Sequence, residues 1–241
     1  LSAAMEVIQP RVANPSGRSL MRHVEADCPY RDDDVMHPES EALKTGTTIM
    51  ACVFDGGVVM GCDTRMSTGD FVASRSSRKI SKVFDKIFVG RCGSAADTEL
   101  LTGFVTNYLG QHAIELGKQP TVQTAANLFK LMAYQNKDRL MAGFIIAGID
   151  EKRGGQVFNL PLGGSLLPLP WAADGSGSSY ITGYCHENYK EGMTKQEALN
   201  FITKAISHAM SLDGYSGGLV RTLVVTASGV EESTIQGDKL P

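Results

Sequence analysis

Several features are scarce or absent in this sequence of 241 residues, and each absence excludes a class of protein. The longest purely apolar run, residues 49–54, is too short to cross a bilayer as a helix. The first 20 residues contain no continuous apolar stretch, so no secretory signal is predicted. The formal net charge is only −3, which argues against a surface for nucleic acid or for an anionic membrane.

Disulfide and metal chemistry are also poorly represented. The five cysteines form no CxxC pair, which favours reduced thiols, as found in the cytoplasm and nucleus, over a disulfide framework. The five histidines show no spacing typical of metal ligands. We therefore expect neither a metal site nor a cofactor.

The composition changes near residue 46, which divides the chain into a tail and a body. Residues 1–46 hold four of the nine prolines and carry five Lys/Arg against eight Asp/Glu, with three successive aspartates at 32–34. The remaining residues carry equal numbers of each sign. A Pro-containing acidic segment with little periodicity is typical of an extension rather than a folded domain. A disordered leader is one interpretation of this tail.

The body, from Thr47 to the C-terminus, has patterns typical of an α+β fold. The strand-like runs are 47–54, 58–65, 80–84, 87–92, 144–149, 156–160, 166–173, 219–226 and 230–235. Helices are predicted after Ser94, after Pro120, near Ser178 and after Thr194, and the first should bury Leu101, Val105, Tyr108 and Leu109. Because strands and helices come in groups rather than in βαβ alternation, the pattern predicts hairpin-linked sheets covered by helix pairs.

One motif points to a serine hydrolase, but its context does not fit. Residues 214–218 read G-x-S-x-G, which in the nucleophile elbow follows a strand, precedes a helix and requires a later histidine. Here a predicted helix precedes the motif, and no histidine follows His208. A glycine-rich loop after a helix is the simpler interpretation.

The junction between tail and body offers different chemistry. A threonine hydroxyl is a weak nucleophile, but cleavage before Thr47 would place a new α-amine beside its Oγ to accept the proton. An α-amine titrates near neutral pH, as a general base should. Taken alone, residues 46–48 would indicate no more than the start of a strand.

An ordered set of short motifs favours the chemical interpretation of this junction. The motifs are Gly-Thr-Thr-Ile at 46–49, Asp-Thr-Arg at 63–65, Arg-Lys-Ile at 78–80, Gly-Ser-Ala-Ala-Asp at 93–97, Gly-Ser-Gly-Ser at 175–178 and Asp-Gly-Tyr-Ser-Gly-Gly at 213–218. Together they resemble the catalytic beta subunits of the 20S proteasome, which are N-terminal-nucleophile hydrolases. The likeness covers about four-fifths of the chain. It implies a four-layer αββα sandwich over residues 47–241 and a cleavable propeptide at 1–46.

The resemblance also implies roles for individual residues. Thr47 would be the nucleophile, freed by autocleavage after Gly46, and Lys79 would lower the pKa of its α-amine. Asp63 would orient Lys79, although an ordinary ion pair would use the same residue types. The oxyanion would be stabilised by the Gly93 N–H. The residues expected to support the threonine amine are Ser176, Asp213 and Ser216, all of which would also suit turn and helix-end capping.

The same likeness implies how substrate would bind. An extended polypeptide would lie between Ser67 on one side and Gly93 and Ala95 on the other. Arg91 would lie at the base of the pocket for the residue before the cleaved bond, flanked by Ser77 and Glu99. A guanidinium there favours cleavage after acidic residues, the caspase-like (beta-1) specificity. A surface charge at a strand end is the alternative for Arg91, and Glu99 brings a negative charge near this pocket.

The family builds stacked seven-membered rings, so the expected partners are other proteasome beta and alpha subunits together with polypeptide substrates. We expect neither nucleic acid nor a membrane as a partner, and a cytoplasmic and nuclear location. Two functions stay open at this point: an active threonine endopeptidase, and an unprocessed precursor or non-catalytic structural subunit that never exposes Thr47.

Overall fold

The computed structural model describes residues 46–241, so the predicted tail, apart from Gly46, lies outside the described residues. The strands are β1 Ile49–Phe54, β2 Gly57–Cys62, β3 Met66–Thr68, β4 Phe71–Ser74, β5 Ile80–Phe84, β6 Ile87–Gly93, β7 Ala142–Asp150, β8 Gly154–Leu160, β9 Leu167–Leu169, β10 Trp171–Asp174, β11 Val220–Thr226 and β12 Gly229–Ile235. The helices are α1 Ala95–Leu116, α2 Val122–Gln135, α3 Ser178–Asn188 and α4 Lys195–Leu212. None of the helices within residues 46–241 has both the length and the apolar character that a bilayer crossing requires.

Ten of the strands form two antiparallel sheets that pack face to face. Sheet I has the order β10-β1-β2-β11-β12, and sheet II has the order β5-β6-β7-β8-β9. A core between them is built from residues such as Ile49, Met60 and Ile145. Alternate residues of each strand point outward to the helices, as the two-residue period of a strand requires. This arrangement confirms the predicted α+β fold.

The two helix pairs cover the outer faces of the sheets, and each pair encloses a core of its own. Helices α1 and α2 pack on sheet II around Phe129 and Phe144. Helices α3 and α4 pack on sheet I around Met50 and Ile202. The three cores separate four layers in the order αββα, as predicted.

The helices begin where the sequence contains capping residues. The side chains of Ser94, Thr121 and Thr194 accept hydrogen bonds from the backbone three residues ahead. Thr194 and Glu197 form the complete capping box that the sequence predicted. The helices therefore start from local interactions, while their packing depends on apolar faces contributed by distant strands.

Three features differ from the sequence prediction. The run 166–173 is not one strand, because β9 pairs with β8 in sheet II whereas β10 pairs with β1 in sheet I. Pro170 lies between the two strands, and its carbonyl accepts the Val53 N–H. The hairpin of β3 and β4 was not predicted. Tyr108, expected on the buried stripe of α1, is 42% exposed, since only Leu101, Val105 and Leu109 of that set face the core.

Candidate active site around Thr47

Thr47 lies just before β1, where the ends of three strands meet. Ile49 of β1 pairs with Cys62 at the end of β2 and with Asp174 at the end of β10. This register brings Asp63, which follows β2, and Ser176, which follows β10, to the two sides of the threonine. Thr47 is buried, and its Oγ donates a hydrogen bond of 2.7 Å to the carbonyl oxygen of Gly46.

Asp63 and Lys79 form a buried ion pair beneath this junction. The Lys79 Nζ lies 2.6 Å from Asp63 Oδ1 and 3.3 Å from the Gly46 carbonyl oxygen. The carboxylate of Asp63 is fully buried and also accepts the backbone N–H groups of Thr48, Arg65 and Gly217. Four donors around one carboxylate fix its orientation, and the carboxylate in turn holds the ammonium against the carbonyl.

On the other side of Thr47, three side chains form a hydrogen-bond chain. The Thr47 N–H donates to Ser176 Oγ at 3.1 Å, and this hydroxyl donates to Asp213 Oδ2 at 2.7 Å. The same carboxylate oxygen accepts the Ser216 hydroxyl at 2.7 Å. The structure therefore brings Ser176, Asp213 and Ser216 together around the backbone nitrogen of the threonine.

The glycine that precedes Thr47 lies in a space that no side chain can share. A Cβ on Gly46 would overlap the Cβ and backbone oxygen of Tyr215. Gly46 is not among the residues with positive φ. The constraint that requires glycine at this position is therefore the close approach of Tyr215 and not an unusual backbone conformation.

Gly93 ends β6 in a conformation that requires glycine. Its φ is +99°, and a Cβ would overlap the Met141 carbonyl oxygen. The following residue, Ser94, donates its N–H to the same carbonyl at 2.7 Å and caps α1. The turn between β6 and α1 is thereby fixed to the start of β7. The predicted oxyanion role of the Gly93 N–H stays a prediction.

Arg91 lies two residues before Gly93 on the face of sheet II that points toward α1. Its Nη2 donates to the Arg78 carbonyl at 2.9 Å, while its buried Nε has no hydrogen-bond partner among the described residues. Partial burial lowers the pKa of the guanidinium, and the nearby charge of Glu99 opposes that shift. Arg91 and Glu99 are thus close enough to interact, but no ion pair within 4 Å joins them among residues 46–241.

The other predicted substrate contacts lie on different elements around the junction. Ser67 is buried on β3 and its Oγ accepts the Gly46 N–H at 3.2 Å. Ala95 is the first residue of α1, and Ser77 donates its N–H to the Thr64 carbonyl. A cavity of about 360 Å³ lies between the β3–β4 hairpin and the 214–215 loop, and it is lined by Arg65, Ser67, Gly69, Asp70, Phe71, Val72, Gly214 and Tyr215.

Sequence reasoning missed three contributors to this site. The Thr48 hydroxyl lies 2.7 Å from Ser216 Oγ, which links the residue after Thr47 to the Asp213 network. The Gly217 N–H donates to Asp63, so the loop that resembled a serine elbow supports the carboxylate instead. Asp174 lies at the end of β10, directly before the turn that carries Ser176. Thr48 could have been found from its adjacency to Thr47 and Gly217 from its place in the 213–218 motif, whereas no sequence signal pointed to Asp174.

This arrangement can stabilise negative charge on the Gly46 carbonyl oxygen, and it holds the Thr47 nitrogen in a hydrogen bond. A hydroxyl and an ammonium both reach the Gly46 carbonyl oxygen, and the Ser176 hydroxyl links the Thr47 nitrogen to Asp213. No group of three or more His, Cys, Asp or Glu residues within residues 46–241 is arranged to hold a metal ion.

Comparisons with known proteins agree with these observations. A family model described as proteasome subunit matches residues 43–225. The chain is 46% identical over 200 residues to "Proteasome subunit beta type-6" of Dictyostelium discoideum, which covers 83% of this chain and 94% of that protein. It is 43% identical over 206 residues to "Proteasome subunit beta type-1" of Saccharomyces cerevisiae, covering 86% and 95%. The protein named beta type-6 in Arabidopsis thaliana is 45% identical over 195 residues, covering 81% and 84%.

Proposed function

Because this chain belongs to the proteasome beta-subunit family, we propose that it is a threonine endopeptidase that is activated by cleavage between Gly46 and Thr47. Residues 1–46 would then be a propeptide and residues 47–241 the enzyme. The observation that carries the proposal is the contact at the Gly46 carbonyl, whose oxygen accepts both Thr47 Oγ at 2.7 Å and Lys79 Nζ at 3.3 Å.

Self-cleavage follows from this contact. The Thr47 Oγ attacks the Gly46 carbonyl carbon and forms an ester, while the C–N bond to Thr47 breaks and the hydroxyl proton passes to the Thr47 nitrogen. The Lys79 ammonium stabilises the negative charge that develops on the carbonyl oxygen. Water then hydrolyses the ester, which leaves a carboxylate on Gly46 and a free amine and hydroxyl on Thr47.

Peptide hydrolysis by the mature chain would use the same groups. The new α-amine accepts the proton of Thr47 Oγ as the hydroxyl attacks a substrate carbonyl. The amine would lie where the backbone nitrogen now meets Ser176, which is itself held by Asp213. The Gly93 N–H would stabilise the oxyanion, and Asp63 would keep Lys79 beside the reacting atoms.

The decisive experiment compares Thr47→Ala with Thr47→Ser in the full chain. We expect the alanine variant to keep its tail and to lack peptidase activity, because no nucleophile is left, whereas the serine variant should still be cut after Gly46. Intact mass spectrometry reads the position of the cut. A normal cut in Thr47→Ala would rule out self-processing.

We further propose that Arg91 directs cleavage to bonds after acidic residues. Its half-buried guanidinium retains an unpaired Nε that a carboxylate side chain of the substrate could use. Assembled particles that carry Arg91→Ala should lose hydrolysis of a Glu-type fluorogenic peptide but not labelling of Thr47 by an electrophile. Arg78→Ala is a suitable control, because Arg78 contributes its backbone carbonyl rather than its side chain to Arg91. Unchanged cleavage after Glu would remove Arg91 from the pocket.

The family assembles with other proteasome subunits, and we propose that this chain does so in stacked heptameric rings of the cytoplasm and nucleus. Exposed apolar side chains on α1, among them Leu100, Phe104 and Tyr108, support burial of this helix in an assembly. An unprocessed or structural subunit is the alternative function. N-terminal sequencing of the chain from purified particles separates the two, since a start at Thr47 marks the mature enzyme.

A further inference from the structure

Two polar side chains face each other between the sheets, directly behind the proposed active site. Asp174 is the last residue of β10 in sheet I, and Cys92 is the penultimate residue of β6 in sheet II. Both point into the core between the sheets, since Ala172 and Cys92 are members of that core and Asp174 lies two residues beyond Ala172. An otherwise apolar layer thus contains a carboxylate at its catalytic end.

The space for this pair comes from a glycine on the neighbouring strand. Gly143 of β7 is paired with Cys92, and a Cβ on Gly143 would lie 2.7 Å from the Cys92 sulfur and 3.2 Å from Asp174 Oδ2. Any side chain at position 143 would therefore displace one or both groups. The thiol and the carboxylate oxygen occupy the volume that a side chain of β7 would otherwise fill.

The two carboxylate oxygens of Asp174 have different partners. Oδ1 accepts the Gly175 N–H at 2.7 Å, whereas Oδ2 is buried and has no hydrogen-bond partner among the described residues. The Cys92 sulfur borders the same space as Oδ2, next to Gly143. Burial raises the pKa of the Cys92 thiol, and the charge of Asp174 raises it further, so the thiol keeps its proton beside the carboxylate. Burial likewise raises the pKa of Asp174, although the Gly175 N–H and the neighbouring Cys92 thiol oppose the shift.

These contacts lie between the turn that carries Ser176 and the turn that carries Gly93. Gly175 precedes Ser176, which accepts the Thr47 N–H, and a Cβ on Gly175 would overlap the Thr47 carbonyl oxygen. Cys92 precedes Gly93, the residue proposed to bind the oxyanion. One side chain, Asp174, therefore contacts the residue before each turn.

We propose that the Cys92 thiol donates to Asp174 Oδ2 and that the two side chains form a positioning pair, which keeps the Ser176 turn of sheet I and the Gly93 turn of sheet II at a fixed separation. This role rests on the proposed peptidase function. The pair touches neither substrate nor the reacting atoms and acts through Ser176 and Gly93. Since a shift of about 1 Å at reacting groups can cost on the order of a hundredfold in rate, loss of the pair should lower the rate of the chemical step more than substrate binding.

The test compares four variants in the assembled particle. Asp174→Asn and Cys92→Ala should each lower kcat roughly tenfold while KM changes less than about twofold, and the double variant should be no slower than the slower single one. Cys92→Ser should restore most of the rate, because its hydroxyl can still donate to Asp174. Asp150→Asn is the matched control with unchanged kcat, since that carboxylate also holds backbone N–H groups but at the opposite end of β7.

A second measurement is independent of activity. The infrared S–H stretch of Cys92 can be identified in the full chain by its loss in Cys92→Ser. This band should move to higher frequency in Asp174→Asn, because a thiol that is hydrogen-bonded to a carboxylate vibrates at lower frequency. An unshifted band would overturn the contact. A shifted band with unchanged kcat, or an effect on KM alone, would overturn the positioning role. If the wild-type particle fails to process or hydrolyse through Thr47, the proposed function fails and the positioning role falls with it, while the band still reports whether the contact exists.

Discussion

At the residue scale, the Asp63–Lys79 pair concentrates charge in a place where water cannot compensate for it. Asp63 is 0% exposed and Lys79 is 6% exposed. Burying two ions costs several kcal/mol each, and the cost is offset only where geometry is good and further donors are present. The three backbone N–H groups on Asp63 meet that condition. The ion pair is therefore tolerated while both partners are present, and removal of either partner leaves a buried charge without its counter-ion.

We predict that Lys79→Ala lowers the free energy of unfolding by about 3–5 kcal/mol, because it leaves Asp63 buried without its counter-ion. The proposed processing after Gly46 should stop in the same variant. The control is Lys82→Ala, which removes a similar Lys–Asp pair whose partners are 3.5 Å apart and each 59% exposed, and which should cost at most about 1 kcal/mol. Urea unfolding and intact mass measure the two effects. Equal losses in both variants would contradict the prediction.

The sequence was sufficient to predict which residue types converge on Thr47, but it did not reveal the contacts that hold them. The structure brings together Thr47, Asp63, Lys79, Ser176, Asp213 and Ser216, while their catalytic roles stay predictions. The position of Asp174 could not have been predicted, because it depends on Gly143, a residue on another strand that leaves room for it. Local sequence patterns do not reveal that a glycine on one sheet leaves space for a side chain from the other sheet.

At the scale of elements, strands were predicted well where a turn separates them and poorly where a proline does. The β1–β2 and β5–β6 hairpins have apolar runs with an obvious turn between, so their pairing follows from short-range signals. The run 166–173 looked like one strand, yet Pro170 lacks an N–H for either ladder and the chain changes sheets there. The change of sheet is decided by long-range pairing with β1 and β8.

Helix α4 provides an element-scale prediction. Thr194→Ala should destabilise the chain by about 1 kcal/mol, because the capping box loses the acceptor for the Glu197 N–H. Hydrogen bonds from the backbone and hydroxyl of Thr194 lower the pKa of the Glu197 carboxyl group. The stabilisation that this carboxylate adds to the cap is therefore present above its unfolded pKa and is lost as pH falls through its folded pKa. The difference in the free energy of unfolding between Thr194→Ala and the wild type should therefore become smaller at acidic pH.

Thr182→Ala on α3 is the matched control for that change. Thr182 is exposed and donates only to the Ser178 carbonyl within its own helix. Alanine has the higher helix propensity, so we expect a change within about 0.5 kcal/mol. Chemical denaturation of both variants at neutral and acidic pH makes the comparison, and a Thr194→Ala loss that does not vary with pH would contradict the account of the cap.

At the scale of the whole molecule, the free energy of unfolding should fall at alkaline pH because several cysteine thiols are buried. Burial raises the pKa of Cys52, Cys62 and Cys185 to about 12 each. Unfolded thiols lose their protons from about pH 8.5, whereas the folded chain keeps them. The unfolded state is therefore favoured as pH rises from the unfolded toward the folded pKa, by up to about 1.4 kcal/mol per pH unit for each thiol.

Cys185→Ala separates this effect from the rest of the chain. We expect its stability to fall less steeply than that of the wild type between about pH 8.5 and about pH 10, since one titrating thiol is gone. The variant will be less stable at neutral pH because it loses buried volume, so the informative quantity is the slope and not the offset. Parallel pH profiles from urea unfolding would refute the prediction.

The fit of Gly46 against Tyr215 has a consequence for how this chain tolerates genetic variation. A larger residue at position 46 must push on Tyr215, whose N–H is bound by Asp213, so the disturbance reaches the network around the threonine. On the proposed maturation route, that glycine is discarded with the leader. Natural selection would then conserve a residue that is absent from every mature particle. A survey of mutations scored by growth would detect that intolerance, whereas inspection of the purified complex would never encounter the residue responsible.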